Sequence, residues 1–149
     1  MLSKHLLRVV FLATIILFVK TYALAQTDQI EHIWYNQEKT AKIQVYKATD
    51  GKYYGKIIWL KIPDVDGKVK VDINNPDKKK RNEPLLGLLI LKGLKKENNT
   101  EYEDGTIYDP KNGKTYSCNA NYKGNILNLR GYYGFSWIGR TTTWTRADN

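Results

Sequence analysis

One cysteine, Cys118, stands in a chain of 149 residues. No intramolecular disulfide can form, so the fold must rest on packing. A lone cysteine can be a reactive thiol or an intermolecular bridge, but free cysteine is among the most buried residue types. Cys118 is therefore expected as a small buried apolar residue on a strand. Histidine is nearly as scarce, with His5 and His32 the two in the chain. A hydrolase triad needs a base and a zinc site needs three or four soft ligands, and neither set can be assembled from one cysteine and so few histidines. Long apolar runs are also scarce. Residues 9–19 form one, and it ends at Lys20.

That run sits in a three-part pattern. Lys4 and Arg8 precede it, and Ala23-Leu24-Ala25 follows as an A-x-A site. A transmembrane helix needs roughly 20 apolar residues, so a removable export signal over 1–25 is expected, with Gln26 first in the mature chain and no membrane-spanning segment after cleavage. Residues 26–149 then form a single domain, large enough for one core. Removal of Lys4, Arg8 and Lys20 leaves 21 basic residues against 15 acidic, a net charge of +6. An exported protein meets little nucleic acid, so none is expected as a partner. An anionic envelope surface, or plain solubility, accounts better for the basic balance.

A period of two dominates from residue 41 onward. Ile43 and Val45 alternate with Lys42, Gln44 and Tyr46, which predicts a half-buried strand. Asp50-Gly51 follows as a hairpin turn. Residues 52–60 set Tyr53, Gly55, Ile57 and Trp59 on one face and Tyr54, Lys56, Ile58 and Leu60 on the other. Residues 62–84 are turn-rich and predict a loop with one short strand at 69–73. The most apolar segment, 85–94, contains Gly87 and Gly93 and is expected as a buried strand. Strands at 106–108, 114–122 and 126–132 form an antiparallel meander, and after a Gly-rich corner at 133–139 a Thr-rich last strand covers 141–146. Eight or so short strands without a strong helix predict an all-β fold, a small closed antiparallel barrel or a sandwich.

Several ordered motifs carry a family likeness: Tyr54-Gly55-Lys56-Ile57-Ile58-Trp59-Leu60-Lys61, Asn75-Pro76-Asp77, the segment 87–94, Ile107-Tyr108-Asp109-Pro110, Gly113-Lys114-Thr115-Tyr116-Ser117-Cys118, Gly139-Arg140 and Trp144-Thr145-Arg146. From about Ile30 to Arg146 the chain resembles the exported bacterial family known as domain of unknown function 2147. The resemblance implies a lipocalin-like β-barrel of about eight strands in the Gram-negative envelope, periplasmic or secreted, with no assigned enzymatic activity, catalytic residue or cofactor. The chain departs from the family pattern in two places. His32 stands where a glycine usually precedes the first tryptophan, and Glu101-Tyr102-Glu103-Asp104 lacks an expected tryptophan.

Chemistry-bearing motifs are few. Gly134-Phe135-Ser136-Trp137-Ile138-Gly139 approaches the nucleophile elbow G-x-S-x-G, but its second glycine is one residue late and no strand-turn-helix surrounds it. Asp64-Val65-Asp66-Gly67 begins like a calcium loop without the later ligands, and is expected as a turn. Asn98-Asn99-Thr100 fits a glycosylation sequon, an incidental match in a bacterial chain. Glu101, Glu103 and Asp104 are acids of a solvated hairpin rather than a glycosidase pair. No metal site, no cofactor and no enzymatic activity are expected. Lys78, Lys79, Lys80 and Arg81 form a basic surface loop that suits phosphate or lipid head groups, or simply water.

The aromatics point further. The chain after residue 25 keeps four Trp and ten Tyr but one Phe, and tyrosine offers ring area with a polar tip. A barrel of eight strands encloses room for side chains or one small ligand. Tyr53, Trp59, Tyr108, Tyr116, Tyr132, Trp137 and Arg140 are the candidate lining of a site for a small apolar or amphipathic molecule. Trp34, Trp144 and Arg146 are expected to close one end, with Arg146 lying over Trp34 where the first and last strands meet. A barrel filled by its own side chains, acting through the basic loop as a structural envelope protein, is the alternative.

Overall fold

The computed structural model describes residues 28–147, so the export signal expected at 1–25 and its cleavage site lie outside the described residues. Ten strands follow in order: β1 (Ile33–Tyr35), β2 (Ala41–Lys47), β3 (Tyr53–Leu60), β4 (Asp64–Val65), β5 (Lys68–Val69), β6 (Leu89–Lys96), β7 (Glu101–Asp109), β8 (Lys114–Lys123), β9 (Ile126–Tyr132) and β10 (Gly139–Arg146). Eight of them close an antiparallel barrel in the order β1-β10-β9-β8-β7-β6-β3-β2. Strands β4 and β5 stand apart as a hairpin inside the long 61–88 connection, turned by Asp66 and Gly67, both at positive φ. The Asp64-Val65-Asp66-Gly67 segment is thus a turn, and the barrel rather than the sandwich is the observed all-β form.

Alternation explains which side chains point inward. In β2, Ala41, Ile43 and Val45 are buried, and in β9 Leu127 and Leu129 are buried while Asn128 and Arg130 face outward. In β3 the alternation holds for Tyr53, Gly55 and Ile57 and then breaks. Lys42 pairs with Trp59 while Ile43 pairs with Ile57, so Ile58 is an extra residue in a β-bulge. One inserted residue flips the phase. Trp59, expected on the face of Tyr53 and Ile57, lies outside the barrel at 38% exposure, and Leu60 packs against the core instead.

Other boundaries also shift for identifiable reasons. The short strand expected at 69–73 is absent as such, because Val71 makes one isolated bridge to Pro84, which has no N–H to extend a ladder. The strand expected from residue 85 begins at Leu89, after Gly87 at φ +90° donates its N–H to Ile57. Expected at 106–108, β7 instead spans nine residues, passing a bulge at Glu103 and Asp104 where Asp104 takes φ +58°.

The core fills the half of the barrel away from the long loop, with Trp34, Tyr53, Leu91, Leu94, Tyr102 and Leu127 fully buried. Cys118 is buried among them, and loss of solvation pushes its thiol up to about 12. Gly105 is required where β6 and β7 approach, since a Cβ there would stand 2.7 Å from Leu94 Cδ2 and Cγ and 3.2 Å from the Leu94 N. Replacing Gly105 by alanine is therefore expected to lower the unfolding free energy by about 1–3 kcal/mol, the usual cost of overpacking. Urea denaturation followed by tryptophan fluorescence measures it, and an unchanged midpoint would show that β6 yields freely.

Candidate functional site

The two ends of the barrel differ in kind. At one end the chain before β1 crosses beneath the strands and plugs them. Ile30 is fully buried, and Trp34 donates its indole N–H to the Ile30 carbonyl at 2.9 Å while meeting Tyr122 edge-on with ring centroids 6.1 Å apart. Asp28 gathers three donors at this end: the Tyr53 hydroxyl, the Lys96 ammonium, and the Lys47 ammonium at 3.4 Å. Burial by itself would raise the Asp28 carboxyl. The hydrogen bonds from Lys96 and Tyr53, the Lys96 charge and the Lys47 bond together outweigh it and hold the group below its ordinary value. Tyr53 is correspondingly held high, by its desolvation first and then by the bond to Asp28.

Closure here differs in one contact from the expected one. Trp34 and Arg146 are direct partners across the β1–β10 ladder. The Arg146 guanidinium, however, turns to the ring nitrogen Nδ1 of His32 at 3.3 Å, and cation-π contacts among the described residues come from lysines. His32 lies beside Trp34, its ring meeting the indole edge-on at 6.3 Å. Desolvation, followed by the Arg146 charge, lowers the His32 pKa.

The other end is open. A cavity of about 580 Å³ descends from it into the barrel, within the range of small-molecule sites. Its depth is apolar, formed by Ile43 and Ile57 from β2 and β3, Ile90 and Ile107 from β6 and β7, and Leu129 and Trp144 from β9 and β10. Gly131 leaves room in the wall, since a Cβ there would make ordinary 3.6 Å contacts with Ile107 and Tyr116. Its mouth is polar. Glu38 and Lys111 pair across it at 3.5 Å, and both Asp109 carboxylate oxygens accept bonds from its own turn, from the Lys111 N–H and the Asn112 amide. The side chains of Lys61, Lys70 and Arg140, also at the cavity, have no acidic partner within 4 Å among the described residues.

Local sequence sets this mouth. Asn36 caps the β1–β2 loop, its side-chain oxygen accepting from the Thr40 and Ala41 N–H groups. The long loop is tied across the top: Asn74 donates to the carbonyls of Pro110 and Lys111 at 3.1 and 3.0 Å, and a Cβ on Gly113 would run into the Asn74 carbonyl. Asp72, fully buried in that loop, accepts from the Tyr108 hydroxyl at 2.8 Å and from Asn75 at 2.7 Å. Desolvation and this bond push the Tyr108 hydroxyl up to about 12.

Among the candidate lining residues, Tyr108, Tyr116 and Arg140 border the cavity, and Trp144, expected at the closure, forms part of its wall. Tyr53 lies at the plugged end against Tyr102. Trp59 stands outside, edge-on to Tyr35 and beneath Lys42. Tyr132 faces outward and its hydroxyl donates to Asn119 at 3.3 Å. Trp137 projects from the β9–β10 loop at 71% exposure. Lys78, Lys79 and Lys80 form a short 3-10 helix in the long loop, capped by Asp77, and Arg81 follows it. The aliphatic floor of Ile43, Ile57, Ile107 and Leu129 was missed, though strand alternation marks each of them as inward-facing. What alternation lacks is which half of each strand lies above the plug. Glu101, Glu103 and Asp104 lie toward the plugged end of β7, away from the cavity, and Asp104 pairs with Lys95 at 3.1 Å.

An eight-stranded antiparallel barrel with one plugged end and a cavity at the other is the lipocalin-like form. Residues 32–146 match the family described as an uncharacterized protein conserved in bacteria, DUF2147, and the chain belongs to it. A solved structure described as "Protein HP1028 from the human pathogen Helicobacter pylori belongs to the lipocalin family" is 30% identical, covering 83% of this chain and 86% of its own, with a TM-score of 0.70. No curated protein matches the chain.

The depressed Asp28 carboxyl fixes a pH dependence. Its stabilisation is complete above the unfolded value near 3.9 and is lost as pH falls through the lower folded value. The melting temperature of the protein is expected to drop more steeply below about pH 4 than that of Asp28→Asn, which removes the titration. Parallel curves for the two proteins in a thermal-melt series would refute the assignment.

Proposed function

We propose that the protein is a non-enzymatic binding protein of the periplasm, or secreted, that holds a small, largely apolar molecule in the open half of its barrel. The cavity of about 580 Å³ carries this reading. Its floor is aliphatic and its mouth offers a few polar groups, the division expected of a site that buries an apolar body and orients a polar end. Lys61, Lys70 and Arg140, without an acidic partner among the described residues, suit an amphipathic ligand with its polar end at the mouth. The absence of catalysis is supported by where the reactive groups lie: His32 is at the plugged end and Cys118 is buried with a raised thiol pKa. A barrel filled throughout by side chains, the basis of the structural alternative, is not favoured by an open half.

Gly131 provides the test. Leucine at this position would project into the cavity from an unstrained backbone, so Gly131→Leu is expected to weaken binding of a fluorescent fatty-acid probe about tenfold or more, some 1.4 kcal/mol, at an unchanged melting temperature. Native mass spectrometry of protein purified from its own host is expected to show a reproducible bound mass, absent in Gly131→Leu. Equal probe affinities and clean apo-protein would sink the reading. Export is tested separately: periplasmic protein is expected to begin at Gln26, and an intact Met1 end retained in carbonate-washed membranes would contradict it.

A further inference from the structure

The rim of the open end carries a surface that ligand binding does not use. Among the described residues, ten of the eleven large exposed apolar side chains lie toward this end, Ile126 being the exception. Tyr133, Phe135, Trp137 and Ile138, each more than half exposed, crown the β9–β10 loop. Exposed side chains on a loose loop would fold back on one another and mean little. Here the loop is fastened. Arg130 on β9 donates Nε to the Ser136 carbonyl, Nη2 to the Trp137 carbonyl at 3.0 Å and Nη1 to Thr141 Oγ1 at 3.2 Å. The Ile138 N–H closes the tip onto the Phe135 carbonyl at 3.0 Å, and the Phe135 and Trp137 rings stack at 4.5 Å. An aromatic pair is thereby held out in water.

A chain of contacts joins this tip to the basic cluster along the same rim. Tyr133 packs on Tyr116 with ring centroids 4.7 Å apart, and the Tyr116 hydroxyl accepts from Asn112. Asn74 binds the neighbouring Pro110 and Lys111 carbonyls, and Arg81 donates Nε to the Asn75 carbonyl at 2.8 Å. Lys78, Lys79, Lys80 and Arg81 stand there outside every ion pair among the described residues. The β4–β5 hairpin adds exposed Val65 and Val69 beside Lys68. Charge is nearly balanced at the plugged end, where the acids Asp28, Glu31, Asp50, Glu97, Glu101, Glu103 and Asp104 stand against the bases Lys47, Lys52, Lys95, Lys96, Lys123 and Arg146.

We propose that the open rim docks on an anionic lipid bilayer, with Phe135 and Trp137 seated at the boundary between head groups and acyl chains and Lys78 to Arg81 against lipid phosphates. Aromatic rings suit that boundary, being apolar bodies that tolerate a polar surround, and clustered cations beside them are attracted by the negative surface. A protein partner would be met by a groove or a continuous face. These apolar groups instead stand on separate loop tips around a mouth, a layout matched by a soft, laterally uniform surface. The docked barrel presents its cavity to the bilayer. Docking does not depend on a bound ligand, so it stands or falls apart from the binding function.

Sedimentation with vesicles tests it, using phosphatidylcholine alone and an equal mixture with phosphatidylglycerol. The protein is expected to bind the mixed vesicles about tenfold or more tighter than the neutral ones. Phe135→Ser with Trp137→Ser is expected to weaken binding to mixed vesicles about tenfold, and Lys78→Gln, Lys79→Gln and Lys80→Gln together to erase the preference for anionic lipid. Both variants alter exposed side chains and should keep the wild-type melting temperature, while Ile126→Ser at the plugged end and Gly131→Leu in the cavity should bind vesicles as wild type does. Brominated acyl chains should quench the protein's fluorescence, and Trp137→Phe should remove most of that quenching. Absence of binding to mixed vesicles, or equal binding by the rim variants, overturns the proposal and leaves the rim to a protein partner.

Discussion

The barrel depends on Trp34. The strand that carries it has three residues, and its ladder to β10 contains two registered pairs, Trp34 with Arg146 and Tyr35 with Thr145. Two pairs are too little to hold a barrel shut by backbone hydrogen bonding alone. Burial of the indole does the remainder, because a side chain of this size removes much apolar surface from water in one place. Its N–H, which would be costly if left unpaired, binds the Ile30 carbonyl and so draws the preceding chain across the barrel's end. Gln37 extends the seam by side chain where β1 has run out, accepting from the Thr143 N–H at 3.1 Å.

The asymmetry of the molecule follows. Once Ile30, Trp34, Tyr53 and Tyr102 fill one half, the inward positions of the other half face fewer and smaller neighbours. Alanine, isoleucine and glycine there, as Ala41, Ile43, Ile57 and Gly131, cannot meet across the diameter, and a cavity remains. The long 61–88 connection roofs part of it without sealing it, since its buried carboxylate, Asp72, is satisfied by Tyr108 and Asn75 rather than by anything across the mouth.

Much of this was legible from residue pattern. The period of two placed β2, β8 and β9 to within a residue or two, and the spacing of the strands led to a barrel or a sandwich, between which the family resemblance pointed to the barrel. Pattern failed where one residue more or less changes the phase: Ile58 bulges, and Trp59 leaves the interior. It failed again for Trp137, because a large aromatic residue is assigned inward unless the local backbone is known, and the Arg130 clamp that holds that loop joins groups six and seven residues apart on separate elements. Arg146 stands opposite Trp34 in the ladder, but its guanidinium turns to His32 rather than lying over the indole. His32, noted as a departure from the family pattern, occupies the space a glycine would have left open.

Joining β1 to β10 also makes the topology circular, so residues 34 and 146 must meet before β1 and β10 lose their free edges. Contacts of such sequence separation are slow to form, since loop entropy is lost before they reward it. A chain in which β10 has yet to form can assemble the meander from β6 to β9 and pair β1 with β2, but leaves the other edge of β1 open. Closure of the barrel is thereby deferred until β10 is in place, however early the strands between have paired.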